Sequence, residues 1–171
     1  DFDQTLNDIQ ESLPQPKPII LQLPIGAKDS FQGIVDLVNM KAYTYDADGK
    51  ATAGDIPADM ADQVETEKEA LIENIAEADD ELLERYLEGE SLTDEELNAA
   101  LKKGIQTRTF VPVLCGSATA NIGMDRLAEF IINCMPSPLD RDPWPAQDAD
   151  GNDVTCTADP DAPLAGFVFK T

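Results

Sequence analysis

The chain has 171 residues, enough for one domain or two small ones, and its 34 acidic and 12 basic residues give a net charge of −22. So acidic a chain is repelled by polyanions, which excludes direct nucleic-acid binding by the bulk of it. Histidine is absent, removing the usual triad base and the commonest metal ligand, and the three isolated cysteines Cys115, Cys134 and Cys156 suggest neither a metal motif nor a disulfide framework.

Hydrophobic residues make up 42% of the chain, a normal globular share. No stretch reaches the roughly 20 apolar residues needed to cross a bilayer. A reducing, cytoplasmic setting without a membrane partner is expected from the cysteine usage.

In chain order, Phe2, Leu6, Ile9 and Leu13 recur on one helical face, and the proline-rich stretch from Pro14 to Pro18 ends that helix. Residues 19–26, IILQLPIG, predict a strand. Two further strands are predicted around Ile34–Val38 and Ala42–Tyr45, joined through Asn39 and Met40. Asp46-Ala47-Asp48-Gly49 and Asp148-Ala149-Asp150-Gly151 imitate calcium loops. Both have glycine in the fourth place rather than the sixth and no glutamate in the twelfth, so both are read as turns. They also fit Asp-x-x-Gly, a GTPase phosphate motif. No Gly-x-x-x-x-Gly-Lys-Ser/Thr accompanies it, and those matches are discarded.

From Pro57 to about Gln106 the pattern is helical. Met60, Val64, Leu71 and Ile75 share a face, Leu82, Leu83, Tyr86 and Leu87 form a second group, and Leu97, Ala100 and Leu101 a third. Gly89 interrupts the run, and Thr93 with Glu96 matches a capping box. Residues 55–103 hold 17 acidic and 4 basic residues, a net −13. Glu65, Glu69, Glu73 and Glu77 recur every four residues, along one stripe, and read either as a solvated face or as a docking surface for a basic partner.

A strand from Val111 to Leu114 runs into the small residues Cys115-Gly116-Ser117-Ala118. A helix with Met124, Leu127, Ala128, Ile131 and Ile132 on its apolar side follows. At the carboxyl end of a strand in an open α/β sheet, such a turn exposes backbone N–H groups to a ligand. Residues 136–153, rich in proline and aspartate, read as an interdomain linker, and APLAGFVFKT at 162–171 as a fresh strand.

The segments PIILQLPIGAKDSFQGIVDLVNMKAYTY, DIPADM, LIENIAEADDELLERYLEGESLTDEEL, VPVLCGSATANIGMDRLAEFIINCMPSP and APLAGFVFKT together resemble elongation factor G, the ribosomal translocation GTPase, along essentially the whole chain. The resemblance implies an α+β chain, an α/β GTP-binding-domain remnant plus an α+β insertion with a small mixed or antiparallel sheet covered by helices. It assigns residues 1–13 to a helix of the GTP-binding domain and 14–107 to the G′ insertion. Residues 108–140 become the last strand and helix of that domain, and 141–171 a linker with the first strand of domain II. It implies that Gly116, Ser117, Ala118 and Thr119 form the guanine-recognition loop, with the Ala118 N–H reaching the guanine carbonyl. Thr119 stands where many GTPases have lysine.

GTP or GDP with Mg²⁺ is implied for an intact protein whose P-loop, switches and Asn-Lys-x-Asp motif would lie upstream of Asp1. The piece alone is expected to bind no nucleotide and to be inactive. The ribosome, including its stalk protein, is the implied partner, with Glu65, Glu69 and Glu73 as candidate docking residues. A stand-alone acidic protein-interaction domain without nucleotide binding is the alternative.

Overall fold

In a computed structural model, which describes residues 2–13, 15–167 and 170, the protein has an α+β fold. It divides into two units, residues 1–135 and 136–171. The first begins with helix α1 (Phe2–Ser12), then strands β1 (Lys17–Ile20), β2 (Gln22–Ile25), β3 (Gly33–Asp36), β4 (Lys41–Tyr45) and β5 (Ala51–Gly54). Helices α2 (Ala61–Ala76), α3 (Asp80–Leu87) and α4 (Asp94–Gln106) follow, then β6 (Phe110–Val113) and α5 (Met124–Cys134).

Strands β2 to β5 form a four-stranded antiparallel sheet in sequence order, while β1 pairs with β6 in parallel, Ile19 opposite Pro112. The predicted strand at 19–26 is thus divided between two sheets. Its break is Leu21, 2% exposed, whose N–H donates to the Val113 carbonyl (3.0 Å) and whose carbonyl accepts from the Leu37 N–H (3.0 Å). One residue serves both sheets, and no backbone group there is left unpaired in the core.

The core joins Ile19, Leu21, Leu23, Val35 and Leu37 of the strand region to Val64, Leu71 and Ile75 of α2 and to Leu97 and Leu101 of α4, with Phe110 of β6. Across α2, α3 and α4 the helical periodicity is therefore used as read, except at Leu87, which is 75% exposed at the end of α3. The capping box is present: Thr93 Oγ1 accepts from the Glu96 N–H (3.3 Å) and Glu96 Oε2 from the Thr93 N–H (2.9 Å). The Arg85 guanidinium, followed by the Thr93 donors, holds the Glu96 carboxyl down at about 2. Arg85 also pairs with Glu90 (2.9 Å), tying the α3–α4 connection together.

Strand β5 went unread because Ala51-Thr52-Ala53-Gly54 is small and mostly exposed, with no apolar alternation. The turn before it is the predicted Asp-Gly turn. Asp46 Oδ1 accepts from the N–H groups of Asp48 (3.0 Å) and Lys50 (2.9 Å), and Gly49 takes φ 75°.

The second unit corrects two expectations. Residues read as a featureless linker contain a hairpin, β7 (Trp144–Gln147) with β8 (Asp153–Cys156), around an identical turn in which Asp148 Oδ1 accepts from Asp150 and Asn152. Both strands are largely exposed and β7 includes Pro145, so neither carries period-two patterning. The predicted strand at Leu164–Thr171 is not formed over residues 164–167, where Leu164 is fully exposed; Val168, Phe169 and Thr171 lie outside the described residues.

Gly104 on α4 is the tightest point of the helix–strand packing: a Cβ there would fall 2.2 Å from the Phe110 ring. Phe110 is buried and has no room to swing. Gly104→Ala is expected to destabilise the chain, because overpacking by about 1–3 kcal/mol outweighs the roughly 1 kcal/mol of helix propensity that alanine adds. Urea unfolding checks this: the midpoint falls while the slope stays the same.

Candidate guanine-recognition loop

The loop begins where β6 ends. Cys115 is fixed from the neighbouring strand segment: its N–H donates to Gln22 Oε1 (3.0 Å) and its Sγ to the Gln22 carbonyl (3.3 Å). Gln22 itself is buried, so the contact is shielded from water. Burial pushes the Cys115 thiol up to about 12. It is a small apolar plug with a weak donor, not a nucleophile.

After Gly116 the chain reverses. Ser117 and Ile122 exchange both backbone bonds (2.9 and 3.0 Å), closing a turn over Ala118–Asn121. Ser117 Oγ accepts from the Ala120 N–H (3.3 Å) and lies 3.4 Å from Thr119 Oγ1. Asn121 takes φ 52° and its N–H reaches the Ala118 carbonyl at 3.4 Å. Gly123, at φ 79°, then opens α5; a Cβ there would lie 2.7 Å from the Cys115 carbonyl. A Cβ on Gly116 would lie 2.6 Å from the Met124 side chain. Close backbone approach and a left-handed φ therefore demand glycine at 123, while at 116 the obstacle is the tip of the Met124 side chain.

Ser117, Ala118 and Thr119 thus lie in one turn, with Gly116 immediately before it. Ala118 and Thr119 are exposed, and the Ala118 N–H donates to no acceptor among the described residues. Beside the loop lies a hollow of about 350 Å³ lined by Phe2, Leu6 and Ile9 of α1, by Phe31, and by Cys115 and Gly116. Of the loop, only Cys115 and Gly116 line this hollow; Ser117, Ala118 and Thr119 do not.

Residues the sequence reading did not single out surround this turn. Tyr45 of β4 donates its hydroxyl to Asp125 Oδ1 on the first turn of α5 (2.5 Å). Burial, then the Asp125 carboxylate, raises the Tyr45 phenol. Arg126 lies over the Tyr43 ring at 4.6 Å and pairs with Asp125 (3.0 Å) and Glu129. Tyr43 and Tyr45 sit two apart on one strand, hence on one face, the only sequence signal that pointed to this contact.

The other candidate residues, Glu65, Glu69 and Glu73, are exposed along α2. Glu77, the next member of the stripe, is instead engaged by Lys17 of β1 (3.0 Å). Among the described residues no group of three or more acidic or cysteine side chains could hold a metal ion. Among the described residues no helix is long and apolar enough to cross a membrane.

No family model matches the chain. It is 42% identical over 156 residues to elongation factor G of Neorickettsia sennetsu, which covers 90% of this chain and 22% of that protein. A crystal structure from Thermus thermophilus superposes with a TM-score of 0.74 at 30% identity, over 85% of this chain and 22% of that one. The resemblance to elongation factor G read from the sequence segments is therefore shown, and the chain spans about a fifth of the length of the proteins it matches.

The Cys115 thiol sets an alkaline limit. Its folded pKa of about 12 lies above the ordinary value of 9.0, so above pH 9 the unfolded chain loses this proton first and stability falls as pH rises towards 12. Cys115→Ala is expected to flatten the decline by about 1.4 kcal/mol per pH unit at most, measured as the difference in urea unfolding between pH 8 and pH 10.5.

Proposed function

We propose that this chain is an internal part of a translational GTPase of the elongation factor G type, acting in the elongation step of protein synthesis. Residues 1–13 and 108–140 belong to its GTP-binding domain, 14–107 to an inserted G′ subdomain, and 141–171 to the passage into the next domain. The observation that carries this reading is the unpartnered Ala118 N–H in a turn of small residues after a parallel strand, in a segment similar throughout to elongation factor G.

The loop fits a guanine base. Guanine presents an acceptor oxygen where adenine presents an amino donor, so a fixed N–H discriminates between them by leaving a polar group unpaired in the wrong complex, about 1–3 kcal/mol. Gly116, Ser117, Ala118 and Thr119 would hold the base edge, while the phosphates and their Mg²⁺ call on parts this chain does not include. Bound Mg²⁺ neutralises charge on the transferring phosphate in this reaction class. The residues here bind and orient the base and move no proton.

Two experiments address this. Ala118→Pro removes the N–H, and Ser117 in its β-bridge has the extended backbone that a following proline tolerates. In the full-length GTPase it should weaken GDP roughly tenfold to a hundredfold by calorimetry. The isolated 171-residue chain should bind GDP no tighter than millimolar; micromolar binding would overturn this division of labour.

The exposed Glu65, Glu69 and Glu73 are the proposed docking surface for a basic ribosomal partner, the stalk protein, by long-range attraction. Changing all three to glutamine in the full-length protein should slow ribosome-stimulated GTP turnover at low salt, with a smaller effect at high salt. Unchanged turnover and salt dependence would move the docking surface elsewhere.

A further inference from the structure

We infer that Tyr45 and Gly49, on the β4–β5 hairpin of the insertion, are positioning residues for the base-recognition loop and set its affinity for guanine. The inference rests on the guanine reading of that loop and adds to it how the loop is held.

The Ala118 N–H is useful only if it is aimed. Within the turn that carries it, the backbone is held by the Ser117–Ile122 bridge, by the Ala120 N–H on Ser117 Oγ (3.3 Å) and by a long Asn121–Ala118 contact of 3.4 Å, and none of these fixes the Ala118 N–H itself. Exposed turns with so few internal bonds open locally at low free energy. Three outside contacts supply the missing restraint. Gln22 holds Cys115 at the entry. At the tip, Gly49 lies against Asn121 so closely that an added Cβ would fall 2.4 Å from Nδ2 and 2.8 Å from Cβ of that side chain. Asn121 is the residue with left-handed backbone, so this contact presses on the point where the turn reverses. At the exit, the Tyr45 hydroxyl bonds Asp125, two residues beyond Gly123.

The hairpin is rigid enough to act as such a brace. Tyr45 pairs with Ala51 in the ladder, and Asp46 ties down the turn by accepting from Asp48 and Lys50. Gly49 has left-handed φ and no side chain, which lets the turn meet Asn121 at backbone distance. Arg126 over Tyr43 adds a second attachment between β4 and α5. A force on the hairpin therefore reaches Asn121 and Asp125, which lie on one side of the free donor.

The test uses the full-length protein and two nucleotides, GDP and the 2-aminopurine analogue that lacks the 6-oxygen. Tyr45→Phe keeps the ring and removes the bond to Asp125. Gly49→Ala drives into Asn121. Each is expected to weaken GDP roughly threefold to tenfold, as loss of one hydrogen bond or its alignment does, and to leave the analogue within about twofold. Asn121→Gly alone, which deletes the side chain that Gly49 meets, is expected to weaken GDP by a similar factor and to leave the analogue within about twofold. A purely structural role would weaken both nucleotides alike, which overturns the inference. If Ala118→Pro weakens GDP while Tyr45→Phe and Gly49→Ala do not, positioning fails and the guanine reading stands. If Ala118→Pro has no effect either, the guanine reading itself fails.

Discussion

The backbone of Leu21 is the constraint on which the first unit depends. Its two hydrogen bonds, to Val113 on one side and Leu37 on the other, make a parallel pair and a four-stranded antiparallel sheet share one continuous segment. A buried peptide that serves two ladders leaves little freedom to slide, because moving by one residue would unpair both and turn Ile19, Leu21 and Leu23 out of the core. Side chains then follow: Gln22, the next residue, points its amide into the protein and reaches Cys115. The site's entry point is thus fixed by the same junction that fixes the fold.

The acidic helices are compatible with this core because their charge is sorted by face. The sides of α2 and α4 that carry Val64, Leu71, Ile75, Leu97 and Leu101 are buried, and most acids face water, where separation and salt screen them. The acids that are engaged sit at structural joints. Asp79 caps α3 and pairs with Lys103 at 2.7 Å, and Glu96 closes the capping box and meets Arg85. Glu67, pushed up by burial and then by nearby Asp3, shows the disadvantage of an acid turned towards α1. The stripe of Glu65, Glu69 and Glu73 has no such structural use, and that distinguishes it from its neighbour Glu77.

What the sequence disclosed follows from where the signal lay. Helices α2 and α4 were legible because their buried residues recur at helical spacing, and the α4 start because Thr93 and Glu96 state a cap in two letters. The loop at 116–119 was legible as small residues after an apolar run. The hairpin β7–β8 and strand β5 were not, since exposed strands of Ala, Thr and Pro have no alternation to read. Nor were Gln22, Gly49 and Asn121. Their roles come from contacts spanning 93 residues in one case, and no local pattern encodes a partner that far away. On α5 the apolar side was read correctly as sequence but not as burial. Ile131 is 51% and Ile132 80% exposed, while Phe130 and Cys134 turn inward.

The chemistry offered by the loop is a backbone N–H, and that choice has a physical consequence. A side chain can rotate to find its ligand; a peptide group can be aimed only by the chain on both sides of it. Selectivity built on Ala118 therefore cannot be local to Ala118. It must be distributed over whatever prevents the turn from tilting, here Gln22 at the entry and the β4–β5 hairpin at the tip and exit. The glycine at 123 serves the same end: a Cβ there would lie 2.7 Å from the Cys115 carbonyl, so the two ends of the loop can meet only without a side chain. If the loop reads a base as proposed, the β4–β5 hairpin that braces it takes part in that reading.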